Sequence, residues 1–294
     1  MFAISYALII CNVLSCIPSL PAVIFPVDGD KFHASMVRFF DKMPNEMDQP
    51  LLKLLMKFQF GGLTFLYLLG AFAGYFCPTV IIGYMFAGGN FARVAFLLIK
   101  MADSEKWAMA GFGKTVNVIL IVQTVLGIII AYCTYLSSTD AEYQAYAASM
   151  AADAEAKWGT DYGYMVFLFV IHGFFTLTGL PGLFAPGFAI KNYVTVESKL
   201  PAGKPENIVL EFVMSFQQLA VLMIQIFGAA MIYYAPSVDG IAYYWLFAGI
   251  YFTTSIFCFN ILNAEKYGFD MVPMLVFMFL NVFTMGASFG ALLY

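Results

Sequence analysis

Charge is what this chain has least of. Asp, Glu, Lys and Arg make up 11% of its 294 residues, against roughly a quarter in an average soluble domain, which excludes an ordinary water-soluble fold. A porin-like barrel is excluded too, because no ten-residue segments alternate between apolar and polar. Histidine occurs only twice, and the five cysteines (Cys11, Cys16, Cys77, Cys133, Cys258) never form a CxxC pair. Neither a metal nor a disulfide framework is expected, and the cysteines read as packing residues. No basic patch carries interleaved aromatics, so nucleic-acid binding has no support. Residues 1–22 lack the positively charged start of a cleaved signal peptide and are expected to stay as a helix.

What the chain has is hydrophobic length, with 62% of positions apolar. A hydrocarbon core of roughly 30 Å takes about 20 apolar residues to cross. Eight such stretches occur, at 2–26, 51–76, 78–100, 116–137, 163–189, 208–235, 239–262 and 271–293. Each is expected to be a helix, since lipid offers no partner to open backbone groups. Loops rich in Lys and Arg stay on the side of synthesis. Lys31, Arg38, Lys42, Lys53 and Lys57 surround the first connection, Arg93, Lys100, Lys106 and Lys114 the third, Lys191, Lys199 and Lys204 the fifth, and Lys266 the seventh. Only Lys157 falls opposite, which puts both termini on the outer or luminal side.

The chain also repeats itself. "LMKFQF" at 55–60 returns as "VMSFQQ" at 213–218, "PTV" at 78–80 as "PSV" at 236–238, and "YMFAGG" at 84–89 as "WLFAGI" at 245–250. "SEKW" at 104–107 matches "AEKY" at 264–267, "GF" recurs at 111–112 and 268–269, and "IPSLP" at 17–21 resembles "LPGLF" at 180–184. Four helices per copy, an even number, make the copies parallel rather than inverted. The expected organisation is a first four-helix module over 1–137, a polar linker over 138–162 and a second module over 163–294. The alanine-rich linker reads as a short surface helix. In the polar stretch 28–50, Phe32, Met36, Phe39 and Phe40 are spaced for one face of a helix lying at the inner interface.

Helix two closes on "AFAG", a tight "YFCP" turn follows, and helix three carries "FAR". Phe96 stands three residues beyond Arg93, then come the polar turn "MADSEKW" and "GF" at 111–112. This order resembles the MAPEG superfamily, the membrane-associated proteins of eicosanoid and glutathione metabolism. The resemblance implies a four-helix unit and, for an intact family site, glutathione held by arginine, asparagine, glutamate and tyrosine between neighbouring subunits. A thiolate is the nucleophile in such chemistry, and fixed cations stabilise it. Most of those positions differ here: helix two begins "LLKLLMKFQFGGL" without the Asn and Glu, and Phe96 and Lys100 stand where tyrosines are expected. In the second copy Thr254 aligns with Arg93, Glu211 with Lys53 and Ser215 with Lys57. The residues left for a glutathione carboxylate are Lys57, Arg93 and Lys106, and lysine is a poor substitute for the forked guanidinium contact.

The remaining polar residues read as structural. Arg93, roughly 22 Å along its helix from Pro78 at about 1.5 Å per residue, is expected to snorkel to the inner surface or pair structurally. Glu211 is expected to pair with Lys57 or Lys53 of the other copy. Gln59 and Gln217, equivalent by repeat, are expected to share a role in helix packing. A lone His172 without a second histidine at helical spacing reads as a helix–helix hydrogen bond rather than a haem or chlorophyll ligand, and the seventh helix has no lysine for a retinal Schiff base. Asn90, Gln123, Gln225, Asn260, Asn263 and Asn281 are scattered, without an acid pair or proton relay.

The sequence therefore leads to an all-α integral membrane protein of eight transmembrane helices in two parallel four-helix MAPEG-like modules. No catalytic or metal residue is assigned. The expected function is a scaffold or accessory subunit of a larger membrane complex, in contact with membrane lipids and with other subunits or itself. The alternatives are a glutathione-dependent transferase or peroxidase acting on lipophilic substrates, with glutathione as its cofactor, and a small-solute transporter marked by the broken "TGLPGLFAPG" helix.

Overall fold

The computed structural model describes residues 2–41, 50–193, 205–267 and 270–293, and of residues 191–193, 205–207, 259, 260, 264 and 265 the backbone alone. Helices run in the order α1 (Ala3–Cys16), α2 (Leu20–Ile24), α3 (Asp30–Val37), α4 (Pro50–Phe76), α5 (Val80–Ala102), α6 (Ser104–Ala110) and α7 (Lys114–Ser138). They continue as α8 (Ala141–Thr160), α9 (Tyr162–Phe184), α10 (Pro186–Tyr193), α11 (Pro205–Tyr234), α12 (Asp239–Ser255), α13 (Ala264–Tyr267) and α14 (Met271–Leu293). A π-helical turn, Ile256–Ile261, extends α12. Among the described residues the only β-type pairing is an isolated bridge between Phe40 and Phe112.

Among the described residues, seven helices are long and apolar enough to cross a membrane: α4, α5, α7, α9, α11 (from Ile208), α12 with the start of its π turn, and α14. The expected first span, 2–26, is not one continuous helix. It breaks after Cys16, and α1 has 14 residues followed by the five-residue α2. Pro18 and Pro21 account for the break, since neither can donate a backbone hydrogen bond to the turn before it. The expected span 163–189 likewise ends at Phe184 before Pro186, and α10 takes up the rest.

Side-chain caps start the helices after tight turns. Thr79, next to Pro78, accepts from the Ile82 amide at the start of α5, Asp103 does so for α6, and Asp140 accepts from Glu142 and Tyr143 at the start of α8. Gly111 ends α6 at φ 71°, a left-handed position that suits glycine.

Pairing follows one scheme in both halves of the chain. α1 packs on α4 as α9 packs on α11, and α5 packs on α7 as α12 packs on α14. The two second helices, α4 and α11, meet along their length, α5 reaches across to α11, and α12 reaches across to α4. The centre is accordingly α4 and α11: 67% of the most apolar window of α4 is buried, against 17% in α14. In lipid there is little hydrophobic drive between helices, so close packing through small residues decides the contacts. Gly70 illustrates this, because a Cβ there would sit 2.4 Å from the Asn12 side chain.

The connections that carry most of the lysines gather at one end. The Asp41 amide donates to Gly111 O at 3.0 Å, Thr115 Oγ1 to Arg38 O at 2.6 Å, and the Lys266 ammonium pairs with Asp28 at 2.8 Å. Phe32 and Met36 of α3, with Phe39 and Phe40 after it, are all buried under this end as the spacing predicts. At the other end lie residue 2, the end of α7, the start of α9 and the end of α14: Ile4 N donates to Ser137 Oγ, and the Tyr164 and Ser288 hydroxyls bond at 2.8 Å. The linker forms the 20-residue helix α8, which is fastened there. Tyr143 donates to Pro78 O at 2.8 Å, and Lys157 Nζ donates to Ile232 O at 2.7 Å and to Ala235 O, at the carboxy end of α11. A cation at that position also complements the helix dipole. Positions 42, 199 and 204 and the second "GF", 268–269, lie outside the described residues.

Candidate functional site

Arg93 does not snorkel. It is nine-tenths buried, turned into the bundle from α5. Its Nη1 donates to the Tyr67 hydroxyl on α4, and its Nη2 donates to Asn90 Oδ1 and to Gln123 Oε1 on α7, each at 2.5 Å. Asn90 lies three residues before Arg93 and so shares its helix face. Gln123 Nε2 also donates to the Tyr67 hydroxyl, at 3.0 Å, and the guanidinium carbon lies 4.8 Å from the Tyr67 ring centroid. Every partner is neutral, so the positive charge is hydrogen-bonded but not balanced by them. Arg93 Nε and Gln59 Oε1 are buried with no partner among the described residues.

This cluster borders a cavity of about 120 Å³, also lined by Phe60, Phe96, Trp107, Phe112 and Phe216. Of the three cations left for glutathione by the sequence, only Arg93 lines it. Lys57 is buried on α4 and donates to Ala22 O at 2.6 Å and Phe25 O at 3.2 Å, closing the carboxy end of α2. Lys106 is exposed and pairs with Asp103 at 3.0 Å within the α6 cap. Glu211 acts electrostatically on Lys100 and Lys106.

A second cavity, of about 160 Å³, lies in the other half of the bundle. Its walls repeat those of the first. Met56, Gln59, Phe60, Leu63 and Tyr67 of α4 are answered by Met214, Gln217, Gln218, Val221 and Gln225 of α11, each 158 positions on (56 to 214). Val116, Ile119 and Gln123 of α7 are answered at the same interval by Met274, Phe277 and Asn281 of α14. The interval works in the crossing direction as well: Val213 and Phe216 of α11 close the first cavity, and Leu55 and Phe58 of α4 close the second. Gln59 and Gln217 thus each face a cavity, beyond the packing role expected for them.

The counterpart of Arg93 differs from the sequence alignment. Thr254 is exposed, and Phe252 and Ile256 line the second cavity with the four-residue spacing of Arg93 and Leu97 in the first. The second cavity holds amides where the first holds a charge. Beside it, His172 of α9 accepts from Trp245 Nε1 of α12 at 3.3 Å, the helix–helix bond expected for this histidine. Gly228 makes room for the imidazole, since a Cβ there would lie 2.4 Å from its Cε1.

Neither cavity assembles a nucleophile with a base, and no group of three His, Cys, Asp or Glu capable of holding a metal occurs among the described residues. The sequence reading missed Tyr67 and the joining of Asn90 and Gln123 to Arg93. The Asn90–Arg93 spacing was the one visible signal, whereas Tyr67 and Gln123 come from other helices. Compared with protein-family models, with curated proteins and with solved structures, the chain matches none.

Proposed function

We propose that this protein is a non-catalytic accessory or scaffold subunit of a larger membrane assembly. In this reading it is built as two parallel four-helix modules of MAPEG-like type, the broken α1–α2 segment serving as the eighth crossing, with both termini on the outer or luminal side. The observation that carries the reading is the dispersal of the three candidate glutathione cations. Lys57 closes a neighbouring helix, Lys106 is held in an exposed cap, and Arg93 alone faces a cavity, with two of its nitrogens taken by neutral side chains. The recurring helix pairing and the constant interval between the cavity walls support the duplication. The seam between α4 and α11 is closely packed, a Cβ at Gly62 lying 3.8 Å from the Ala220 methyl, which weighs against a hydrated transport path there.

Native purification in mild detergent tests the proposal. The chain is expected to migrate with other membrane subunits and to pass through glutathione-agarose unretained. Specific retention that Arg93→Ala abolishes would establish a glutathione site instead.

A further inference from the structure

The second cavity is the larger of the twin pair, and no charged residue lines it. Its volume of about 160 Å³ is close to the roughly 150 Å³ at which a protein cavity takes up benzene, so a single ring fills it. Much of the wall is aromatic, with Phe58, Phe175, Trp245 and Phe252. The half-buried Thr178, Val221 and Phe277 also line it, so it reaches the outside between α9, α11 and α14. α9 packs on α14 less extensively than its counterpart α1 packs on α7, which leaves that side open.

Gln225, 5% exposed, decides what such a ring must carry. His172 Nε2 accepts from the Trp245 indole, and an imidazole that accepts at Nε2 carries its proton on Nδ1. That proton calls for an acceptor, and the Gln225 side chain lies within hydrogen-bonding reach of the imidazole. The enclosed atom of the Gln225 amide is Oε1, while Nε2 keeps open surface and has no partner among the described residues. Gln217 repeats this about two turns earlier on α11, again with Oε1 enclosed and Nε2 open. The cavity thus offers two unused amide donors and no charge.

We infer that the second cavity binds the ring of a para-quinone, its two carbonyl oxygens accepting from Gln217 and Gln225 and its faces against the aromatic wall. Eight residues set the two amides about 12 Å apart along α11 at about 1.5 Å per residue. Two hydrogen bonds of about 2.9 Å then leave about 6 Å between the acceptors, close to the span of carbonyl oxygens across one six-membered ring. An anion would find no cation in these walls, and a hydrocarbon ring would leave both donors unpaired. Substituents on the ring have the gap between α9 and α14 as an outlet. Asn281 Nδ2 donates to Phe277 O at 2.7 Å, which leaves Asn281 Oδ1 as an acceptor that a hydroxyl would seek. The reduced quinol is therefore the competing ligand.

Trp245 lines the cavity and serves as reporter in the purified full chain in detergent, with Trp107→Phe and Trp158→Phe removing the other two indoles, neither of which lines it. The probe is duroquinone, a quenching ring whose four methyl groups block addition to thiols. Saturable quenching is expected, and durene, the same outline without carbonyl oxygens, should not compete. Gln217→Leu and Gln225→Leu should each weaken binding about two- to tenfold, the loss of one neutral hydrogen bond. Where Gln225→Leu does not fold, Gln217→Leu and durene decide. Quenching without saturation, an unchanged affinity in either folded variant, or durene or duroquinol competing at concentrations near the duroquinone Kd would overturn the assignment.

Discussion

At the scale of single residues, polar groups in this bundle are placed by the helix opposite. His172 is set between the Trp245 indole, which donates to it, and Gly228, whose missing side chain leaves room for the ring. An alanine in a helix interior is ordinarily favoured over glycine by about 1 kcal/mol. At position 228 the sign should reverse, because the new methyl would meet a fully enclosed imidazole, and overpacking of this kind costs roughly 1–3 kcal/mol. Gly228→Ala is thus expected to lower the melting temperature in detergent. In a His172→Ala background the same change should be neutral or stabilising, a coupling that a double-mutant cycle measures directly. Equal effects in both backgrounds would show that the ring does not fill that space. The presence of His172 in a helix–helix bond was readable from its solitude in the sequence. Trp245 and Gly228 were not, because each comes from a different helix and their meeting depends on how α9, α11 and α12 are rotated about their axes.

At the scale of elements, the long apolar runs gave helix limits within a few residues for most spans, and the breaks at Pro18 and Pro186 shortened two of them. Backbone chemistry explains both outcomes: length and hydropathy specify a crossing, while a missing amide decides where it stops. The linker is more than a spacer. α8 lays Tyr143 on the α4–α5 turn and Lys157 on the end of α11, so it touches both halves of the chain. Burial pushes the Lys157 amine down from its ordinary value to about 8. Its folded value is below its unfolded value of about 10.4, so between these limits the unfolded state binds more protons and stability rises with pH. The penalty is full below pH 8 and fades toward pH 10. A neutral amine still carries two hydrogens, enough for the carbonyls of Ile232 and Ala235. Hydrogen exchange of α8 amides, corrected for intrinsic rates, should therefore show greater protection at pH 9.5 than at pH 7.5. Lys157→Met should remove that dependence. Protection that falls with rising pH in the unaltered chain would contradict the sign.

At the scale of the whole molecule, the two halves are not beads on a string. Each cavity takes most of its wall from one half and is closed by the second helix of the other, α11 for the first and α4 for the second. The repeated motifs were visible in the sequence, and so was their nearly constant spacing. The crossing of walls was not, because no local pattern states that α4 and α11 face each other. This reciprocal closure has a consequence for a cut chain. If α4 and α11 hold the halves together, a protease site placed in the exposed middle of α8, after Ala148, should separate the peptide into two pieces that still co-elute in detergent. The cut pair should also keep both cavities, so the fluorescence of Trp107, which lines the first, should be unchanged by cleavage. Modules that packed independently, with the linker as their only tie, would instead elute apart once α8 is cut, and a bundle whose order depends on α8 would aggregate. Co-elution is the outcome expected from a closely packed seam of this length, because separating α4 from α11 would leave Gln59 and Gln217 facing lipid without the walls that now enclose them.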